Sequence, residues 1–510
     1  MTSTSPRIGE EPSSTTSAVV STTDLRGRVA SGLGWKLFSQ LVAVGSRLVL
    51  VIVLAHLLTP HELGLAGMAL VFTTFANIFA DLSLGAALVQ RTTILDDDLS
   101  TAFWTNLAAG AALWALGAGL APYVADFFST PAVAPLFEVS ASLPFVYSLT
   151  VTQTALLTRE MDFRSLEIRT IFSTLAGGVA AVSFAAFGFG AWAVVAQALC
   201  TALVSAALLW TFSSWRPTAT YSLASLRSLG SFGGQTVFSR ILSYLGMNAD
   251  NLLIGRYVGS TGLGIYSIAY NIMYAPLQQI AQPVQQVLFP AFAKVKAEPQ
   301  RLGQAWLRGN QLVAGLLVPA LLGLAVVAPD FVPTLFGTRW HASIPVLQLL
   351  CLAGVAESFK MLNWSALQAT GQTGRLLRFM TFSTAITLAA FVGGLTWGVV
   401  GVAGLFAVAR TINLVVYTWT TCRTIELPIS RFARLVAWVL SSALPMTACL
   451  VGGRALLVHE HVPAATRLAV LIVAGSVVYV ATIARRDPAM IEEIRAVVGR
   501  RGRAGRQLPA

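Results

Sequence analysis

Charged residues inside long apolar segments are the side chains of this sequence that could do chemistry. Glu357 and Lys360 stand three residues apart in one segment, and Asp250 and Arg410 lie in two others. A charge at mid-bilayer costs roughly 2.5–3.5 kcal/mol on insertion scales, so each should face a cavity or a partner. Glu357 and Lys360 share a helix face, which fits either an ion pair that makes the helix insertable or a coupling-ion or proton site. We assign these four residues, and Asp81 in an earlier segment, to gating or ion coupling.

Two further arginines and a set of amides suggest a binding cavity. Arg47 and Arg240 fall in the first helices of two similar halves of the chain, and guanidinium forks bind phosphate through paired hydrogen bonds. Glutamines between residues 278 and 286 recur at helical spacing and cover most of one face. They could join helices or line a water-filled cavity. We favour a cavity for a polar or anionic substrate, lined by Arg47, Arg240, Asn248, Gln278 and Gln282.

The elements that carry these residues are membrane helices. Hydrophobic residues make up 55% of the chain, charged residues only 11%, and the mean hydropathy is +0.70. Soluble domains carry about 25% charged residues. Fourteen candidate spans lie between residues 32 and 484, which predicts an all-α integral membrane protein. The net charge of +12 does not indicate nucleic acid, because most of the 34 Lys and Arg residues fall in alternate loops. By the positive-inside rule both termini are cytoplasmic.

A short repeat divides the chain. Residues 56–64 and 256–264 are similar at an offset of 200, and six predicted spans fall in each half. Because six is even, both halves enter the membrane from the same side, which predicts two lobes related by a pseudo-two-fold axis along the membrane normal, with two extra helices. The predicted parts are a disordered tail (1–31), a first lobe (32–212), a linker (213–228), a second lobe (229–425), the extra spans (426–485) and a basic tail (486–510).

Cofactors and metals are not expected. The four cysteines are scattered in apolar segments without paired spacing, which is typical of buried small hydrophobes. His459 and His461 flank Glu460, but two histidines on a short loop lack a third ligand. No nucleotide-binding motif is visible, so the energy source would be a gradient or downhill flux.

Four stretches carry a family resemblance: residues 54–64, 81–91, 156–164 and 250–266. On these stretches the chain resembles the Wzx-type polysaccharide flippases of the MOP exporter superfamily. The resemblance implies a fourteen-helix protein of the bacterial plasma membrane that moves undecaprenyl-diphosphate-linked oligosaccharide from the cytoplasmic to the outer leaflet by alternating access. It implies a cationic cavity between the lobes for the diphosphate-sugar head, where Arg47 and Arg240 would act. The expected partners are this substrate, membrane lipids and a polysaccharide polymerase.

Other functions fit the sequence less well than polysaccharide transport. A membrane glycosyltransferase or polymerase needs carboxylates on a sizeable external loop, and none is found, so we predict a transporter rather than an enzyme. A lipid II flippase and then a multidrug exporter are the alternatives within transport. Neither the carried sugar nor the coupling ion can be read from the sequence.

Overall fold

The computed structural model describes residues 45–80, 84–91, 94–230, 244, 246 and 248–490. Within these residues the regular structure is helical and contains no strand. Ten of the described helical stretches have the length and hydropathy needed to cross a membrane. The predicted all-α membrane architecture is confirmed at this level, and the count of fourteen spans stays a prediction.

In the described residues from 45 to 230 there are ten helices. They are α1 (Gly45–Leu57), α2 (Pro60–Ala80), α3 (Leu84–Gln90), α4 (Asp96–Phe128), α5 (Val133–Ser140), α6 (Leu143–Ser148), α7 (Val151–Arg159), α8 (Phe163–Ala186), α9 (Trp192–Phe212) and α10 (Leu223–Gly230). The stretch from α5 to α7 is a single apolar segment interrupted by turns, and α6 begins with Pro144 in its first turn. Proline suits that position because its missing N–H would be unpaired there in any case.

The described residues from 248 onwards form eight further α-helices, most of them longer than 20 residues. They are α11 (248–257), α12 (Ser260–Lys294), α13 (Pro299–Phe336), α14 (Ser343–Ala369), α15 (Thr373–Gly394), α16 (Gly398–Thr424), α17 (Ile429–His459) and α18 (Ala464–Arg486). The 38 residues of α13 would extend about 57 Å at the rise of an α-helix, well beyond the hydrocarbon core of about 30 Å. This helix is therefore longer than a span of an ordinary bilayer requires.

A capping box fixes the start of α2. The backbone N–H and hydroxyl of Thr59 both donate to Glu62, at 2.8 and 2.9 Å, and the Glu62 N–H lies 3.3 Å from the Thr59 hydroxyl. This reciprocal pairing satisfies backbone donors that a helix N-terminus leaves open. It places the first copy of the repeat at a well-defined helix start.

The two copies of the repeat contact each other where α2 and α12 begin. A Cβ atom added to Gly64 would overlap the carbonyl oxygen of Ser260, and one added to Gly264 would overlap that of Pro60. The His61 ring nitrogen Nδ1 lies 2.6 Å from the Ser260 hydroxyl. We call this end of the helix bundle the motif end. The absence of side chains at both glycines allows the backbones of the two halves to touch.

The segment between the halves packs at the opposite end, where α4 begins. The Ser100 hydroxyl lies 2.8 Å from that of Thr218, and the Trp104 indole donates to the Thr218 carbonyl at 2.8 Å. The Ser222 N–H donates to the Thr101 hydroxyl at 3.0 Å, just before α10 begins. Part of the segment predicted as a linker is thus helical and held against α4. We call this end the linker end.

A buried carboxylate ties the last two helices to α13. Asp330 is fully buried, and its Oδ2 accepts a hydrogen bond from Nε of Arg454 on α17 at 2.7 Å. Its Oδ1 accepts from Nε of Arg467 on α18, also at 2.7 Å, and from Nη2 of the same residue. Removing one partner of an ion pair that is shielded from water strongly destabilises the protein, because the other charge is left buried and unpaired. This triad therefore fixes α17 and α18 against the remainder of the second half.

Candidate functional site

Three charged side chains predicted for gating or ion coupling meet in the second half. Nζ of Lys360 lies 2.8 Å from Oε2 of Glu357, one turn along α14. Nη1 of Arg410, on α16, lies 3.6 Å from the same carboxylate oxygen. The three side chains are 13 to 22% exposed, so they are mostly shielded from the surroundings. One carboxylate oxygen thus faces both cations of this cluster.

The cluster faces a cavity of about 250 Å³. Its walls come from α12, α14, α15 and α16 and from Gly246 ahead of α11. Polar groups among the lining residues are Tyr270, Tyr274, Glu357, Ser383, Thr384, Arg410 and Tyr417. The cavity combines two tyrosines of α12, two hydroxyl side chains of α15 and the charged pair of Glu357 and Arg410. This arrangement suits a polar, anionic ligand. Every lining residue belongs to the second half of the chain.

Aromatic rings surround the two cations. Tyr266, Tyr270 and Tyr274 follow each other at intervals of four residues along α12, with successive ring centroids 5.9 and 5.5 Å apart. The Arg410 guanidinium lies 4.5 Å from the centre of the Phe406 ring, and Lys360 lies 5.5 Å from that of Tyr417. Cation–π contacts of this kind stabilise charges that have been removed from water. They help to hold both cations beside the cavity.

Asp250 belongs to the same environment. Its side chain is 3% exposed and accepts a hydrogen bond from the Asn251 N–H at 2.8 Å. It interacts electrostatically with Arg410 and with the hydroxyl of Tyr266. Four of the five residues predicted for gating or ion coupling are thus within one network, and Asp81 lies outside the described residues.

The cluster is near the middle of the bundle. Helices α12, α14 and α16 begin near the motif end, where a Cβ added to Gly262 would lie 3.0 Å from Val399 and the Trp340 indole donates to the Ala55 carbonyl at 2.8 Å. Glu357 and Arg410 lie 12 to 14 residues into their helices. At the rise of an α-helix this is about 20 Å from the motif end. Charges at this depth in a membrane protein usually mark a transport pathway or a proton relay.

Arg47 joins the two halves at a similar depth. Its Nη2 lies 3.4 Å from the Oδ1 atom of Asn271, and both side chains are exposed. Asn271 follows Tyr270, which lines the cavity, so Arg47 meets the adjoining face of the same helical turn. The arginine of the first half therefore approaches the wall of the cavity in the second half from outside.

The remaining predicted binding residues have different surroundings. Asn248 is half-buried, and its amide donates to the Tyr244 carbonyl at 3.2 Å. Gln278 interacts with Tyr274, one turn earlier on α12. Arg240 and the side chain of Gln282 lie outside the described residues. Another glutamine of the row, Gln285, donates to the Met361 carbonyl at 2.7 Å and so joins α12 to α14.

Sequence reasoning missed the tyrosines and the hydroxyl wall. The spacing of Tyr266, Tyr270 and Tyr274 at four-residue intervals was a visible signal, since such residues share one helix face. Ser383 and Thr384 gave no signal of their own, because isolated hydroxyls are common in membrane helices. Their place at the cavity depends on the packing of α15 against α16.

Comparison with known proteins decides the family. The family described as "Polysaccharide biosynthesis protein" matches residues 53–345. The lipopolysaccharide biosynthesis protein WzxC of Escherichia coli (strain K12) is 31% identical over 399 residues, covering 77% of this chain and 80% of that protein. The chain belongs to the Wzx-type polysaccharide flippase family of the MOP exporter superfamily. This flippase is also 28% identical to the teichuronic acid biosynthesis protein TuaB of Bacillus subtilis (strain 168), over 90% of this chain and 96% of that one.

Solved structures agree on the fold. The lipid II flippase MurJ in an inward closed conformation superposes with a TM-score of 0.72 at 12% identity, covering 90% of this chain and 99% of that one. An inward-facing multidrug resistance MATE family transporter of the MOP superfamily gives 0.60 at 17% identity, covering 75% and 94%. The family resemblance predicted from the sequence is confirmed, and the protein is a multi-pass membrane transporter rather than an enzyme.

Proposed function

We propose that this flippase moves an undecaprenyl-diphosphate-linked oligosaccharide from the cytoplasmic to the outer leaflet of the bacterial plasma membrane, for the synthesis of a cell-surface polysaccharide. The observation that carries the proposal is the cavity at mid-depth, where Lys360 and Arg410 both pair with the carboxylate of Glu357. The sequence supports the proposal, because the chain is similar to two proteins whose names refer to lipopolysaccharide and teichuronic acid biosynthesis.

The side chains that line the cavity suit a sugar to which a negatively charged group is attached. Tyrosine rings offer apolar faces together with a hydroxyl, and the hydroxyls of Ser383 and Thr384 can both donate and accept hydrogen bonds. The cations Lys360 and Arg410 beside them would attract phosphate or an acidic sugar. We infer that the carbohydrate head occupies this cavity, with its anionic part towards Arg410.

Arg47 is proposed to bind the diphosphate. It is exposed and lies beside the wall of the cavity, so a bound diphosphate could contact Arg47 while the attached sugar enters the cavity. The polyprenyl chain would stay in the bilayer. Arg240 is proposed to supply a second guanidinium from the first helix of the second lobe, and Asn248, Gln278 and Gln282 to supply amides.

Glu357 is proposed to couple substrate binding to gating. In the empty cavity it neutralises part of the charge of Lys360 and Arg410. An incoming phosphate competes for the same two cations, because charge-assisted hydrogen bonds to guanidinium are the strongest that either anion can make. Glu357 would then be released to bind a proton or a cation, with Asp250 and Asp81 assisting. This exchange would link occupancy of the cavity to the gate.

The proposed layout has fourteen spans in two six-helix lobes, with spans 13 and 14 appended and both termini in the cytoplasm. In this layout the motif end faces outwards, and the contacts of Gly64 with Ser260 and of Gly264 with Pro60 close the outer side. Alternating access requires that these contacts separate when the outer side opens. The remaining domain boundaries are proposed as predicted from the sequence.

The proposal is tested in a strain whose own copy of the gene is deleted. Arg47→Ala and Arg240→Ala, each expressed from a plasmid, are expected to abolish polysaccharide export while membrane levels of the protein stay normal and lipid-linked oligosaccharide accumulates. Arg339→Ala is the control, since Arg339 is an exposed arginine outside the cavity lining. Full export by both variants would contradict the assignment of the diphosphate site. Normal polysaccharide export in the deletion strain, together with rescue of a lost lipid II flippase by the wild-type plasmid, would favour lipid II as the substrate.

A further inference from the structure

A second arginine site lies in a crevice between α13, α14 and α17, away from the central cavity. The crevice has a volume of about 390 Å³ and is lined by Ala325, Val326, Gln348, Leu352, Val451 and Arg454. Leu352 is 50% exposed and Val451 54%, so the apolar mouth of the crevice opens onto the outer surface of the bundle. In a membrane protein that surface meets lipid.

Arg454, the arginine in this crevice, donates only part of its hydrogen bonds to Asp330. Asp330 carries one negative charge and faces two arginines. Arg467 gives Nε and Nη2 to Asp330, and its Nη1 lies 3.3 Å from the Val462 carbonyl. Arg454 gives Asp330 only its Nε. Within the described ranges its two terminal nitrogens have no other partner, and its side chain is 32% exposed. One positive charge of the triad thus remains open to the crevice.

The depth of this charge fits a lipid phosphate. Arg454 lies five residues before the end of α17, and Gln348 lies five residues after the start of α14. Both are therefore about 7.5 Å from the helix ends. The Gln348 amide donates to the Ala325 carbonyl at 3.0 Å and so forms a fixed polar edge beside the arginine. Arginine near a membrane interface normally turns towards the headgroups, and its planar fork binds two phosphate oxygens at once.

We propose that this crevice binds the phosphate group of a membrane lipid at Arg454, with the lipid chain along Leu352 and Val451. The two terminal nitrogens of Arg454 donate to two phosphate oxygens, which neutralises the charge that Asp330 leaves uncompensated. The site is independent of the central cavity and of the substrate proposed for it. A phospholipid and a polyprenyl phosphate share the chemistry that this site recognises.

Native mass spectrometry of the purified full-length protein tests the site. The protein is titrated separately with phosphatidylglycerol, undecaprenyl phosphate and inorganic phosphate. Arg454→Gln is expected to weaken the tightest lipid adduct roughly tenfold, because it removes charge-assisted hydrogen bonds. Arg339→Gln removes the same charge at the same end of the bundle and is expected to leave that adduct unchanged. The lipid with the tighter adduct identifies the source of the phosphate.

A second variant separates binding from folding. Ala325→Leu fills the crevice without touching the ion pairs of Asp330, and it is expected to weaken the same adduct. Equal adducts in the wild type and both crevice variants would overturn the proposal, as would equal losses in Arg454→Gln and Arg339→Gln. Binding of inorganic phosphate as tight as that of either lipid would also overturn it.

Discussion

Gly64 and Ser260 are in backbone contact, and Gly264 and Pro60 repeat that contact in reverse. The two glycines are equivalent positions at the offset of the sequence repeat, and so are Pro60 and Ser260, so each copy supplies both a glycine and a carbonyl. A contact surface that is complementary to its own copy is the mark of a two-fold relationship. The repeat thus has a physical role, since it brings the two halves of the flippase together at one end.

The first prediction concerns these glycines. Gly64→Ala and Gly264→Ala each place a methyl group against a backbone carbonyl, which cannot move aside as a side chain could. Both variants are expected to weaken closure of the motif end and to lower export. Closure is measured with a short thiol cross-linker between His61→Cys and Ser260→Cys, after replacement of the four native cysteines. Gly119→Ala, where a Cβ meets open space, is the control. Cross-linking at the parental rate in both glycine variants would contradict the closed contact.

The second prediction concerns the shared carboxylate. Glu357→Gln removes the carboxylate that pairs with both Lys360 and Arg410 and is expected to destabilise the protein by about 3–5 kcal/mol. The double variant Glu357→Gln with Lys360→Met removes one unpaired cation and should regain part of that loss. Thermal unfolding in detergent measures both. Equal unfolding temperatures for the single and the double variant would mean that the pair is not energetically coupled.

The third prediction concerns Asp330. Asp330→Asn leaves Arg454 and Arg467 facing a neutral amide, and it is expected to loosen α17 and α18 from α13. Hydrogen exchange should rise across residues 429–486 while the cavity helices stay protected. Asp126→Asn alters an exposed carboxylate of α4 and serves as the control. Unchanged exchange in α17 and α18 would argue against an anchoring role.

The fourth prediction fixes the orientation in the membrane. Ser129 lies at the motif end and Thr220 at the linker end, and both are exposed. In the background without native cysteines, Ser129→Cys is expected to react with a membrane-impermeant thiol reagent added to intact cells. Thr220→Cys should react only after the cells are opened. The reverse pattern would invert the proposed topology.

The sequence predicted the features that depend on neighbours along the chain. Composition and hydropathy predicted the helical membrane fold, and four short stretches predicted the family; both are confirmed. The separation of Glu357 and Lys360 by three residues predicted that they share a helix face, and they form an ion pair. Such relationships follow from helix geometry alone.

Contacts between distant segments could not be predicted in this way. Arg410 reaches Glu357 across 53 residues of chain, and nothing in the local sequence of either residue reports the other. The anchoring contacts of Asp330 could not be predicted, because its partners Arg454 and Arg467 lie 124 and 137 residues further along the chain. The role of a buried charge depends on which helix packs beside it, and that is decided by the tertiary fold.

Reconstitution tests the central claim most directly. The purified flippase is placed in liposomes that contain undecaprenyl-diphosphate-linked oligosaccharide with a fluorescent sugar, and a membrane-impermeant reductant then destroys the fluorophore on the outer leaflet. We predict that wild-type protein makes the inner-leaflet pool accessible over time, and that Arg47→Ala and Arg410→Ala do so far more slowly. A protected inner pool with folded wild-type protein, under both an imposed proton gradient and an imposed sodium gradient, would contradict the proposed function.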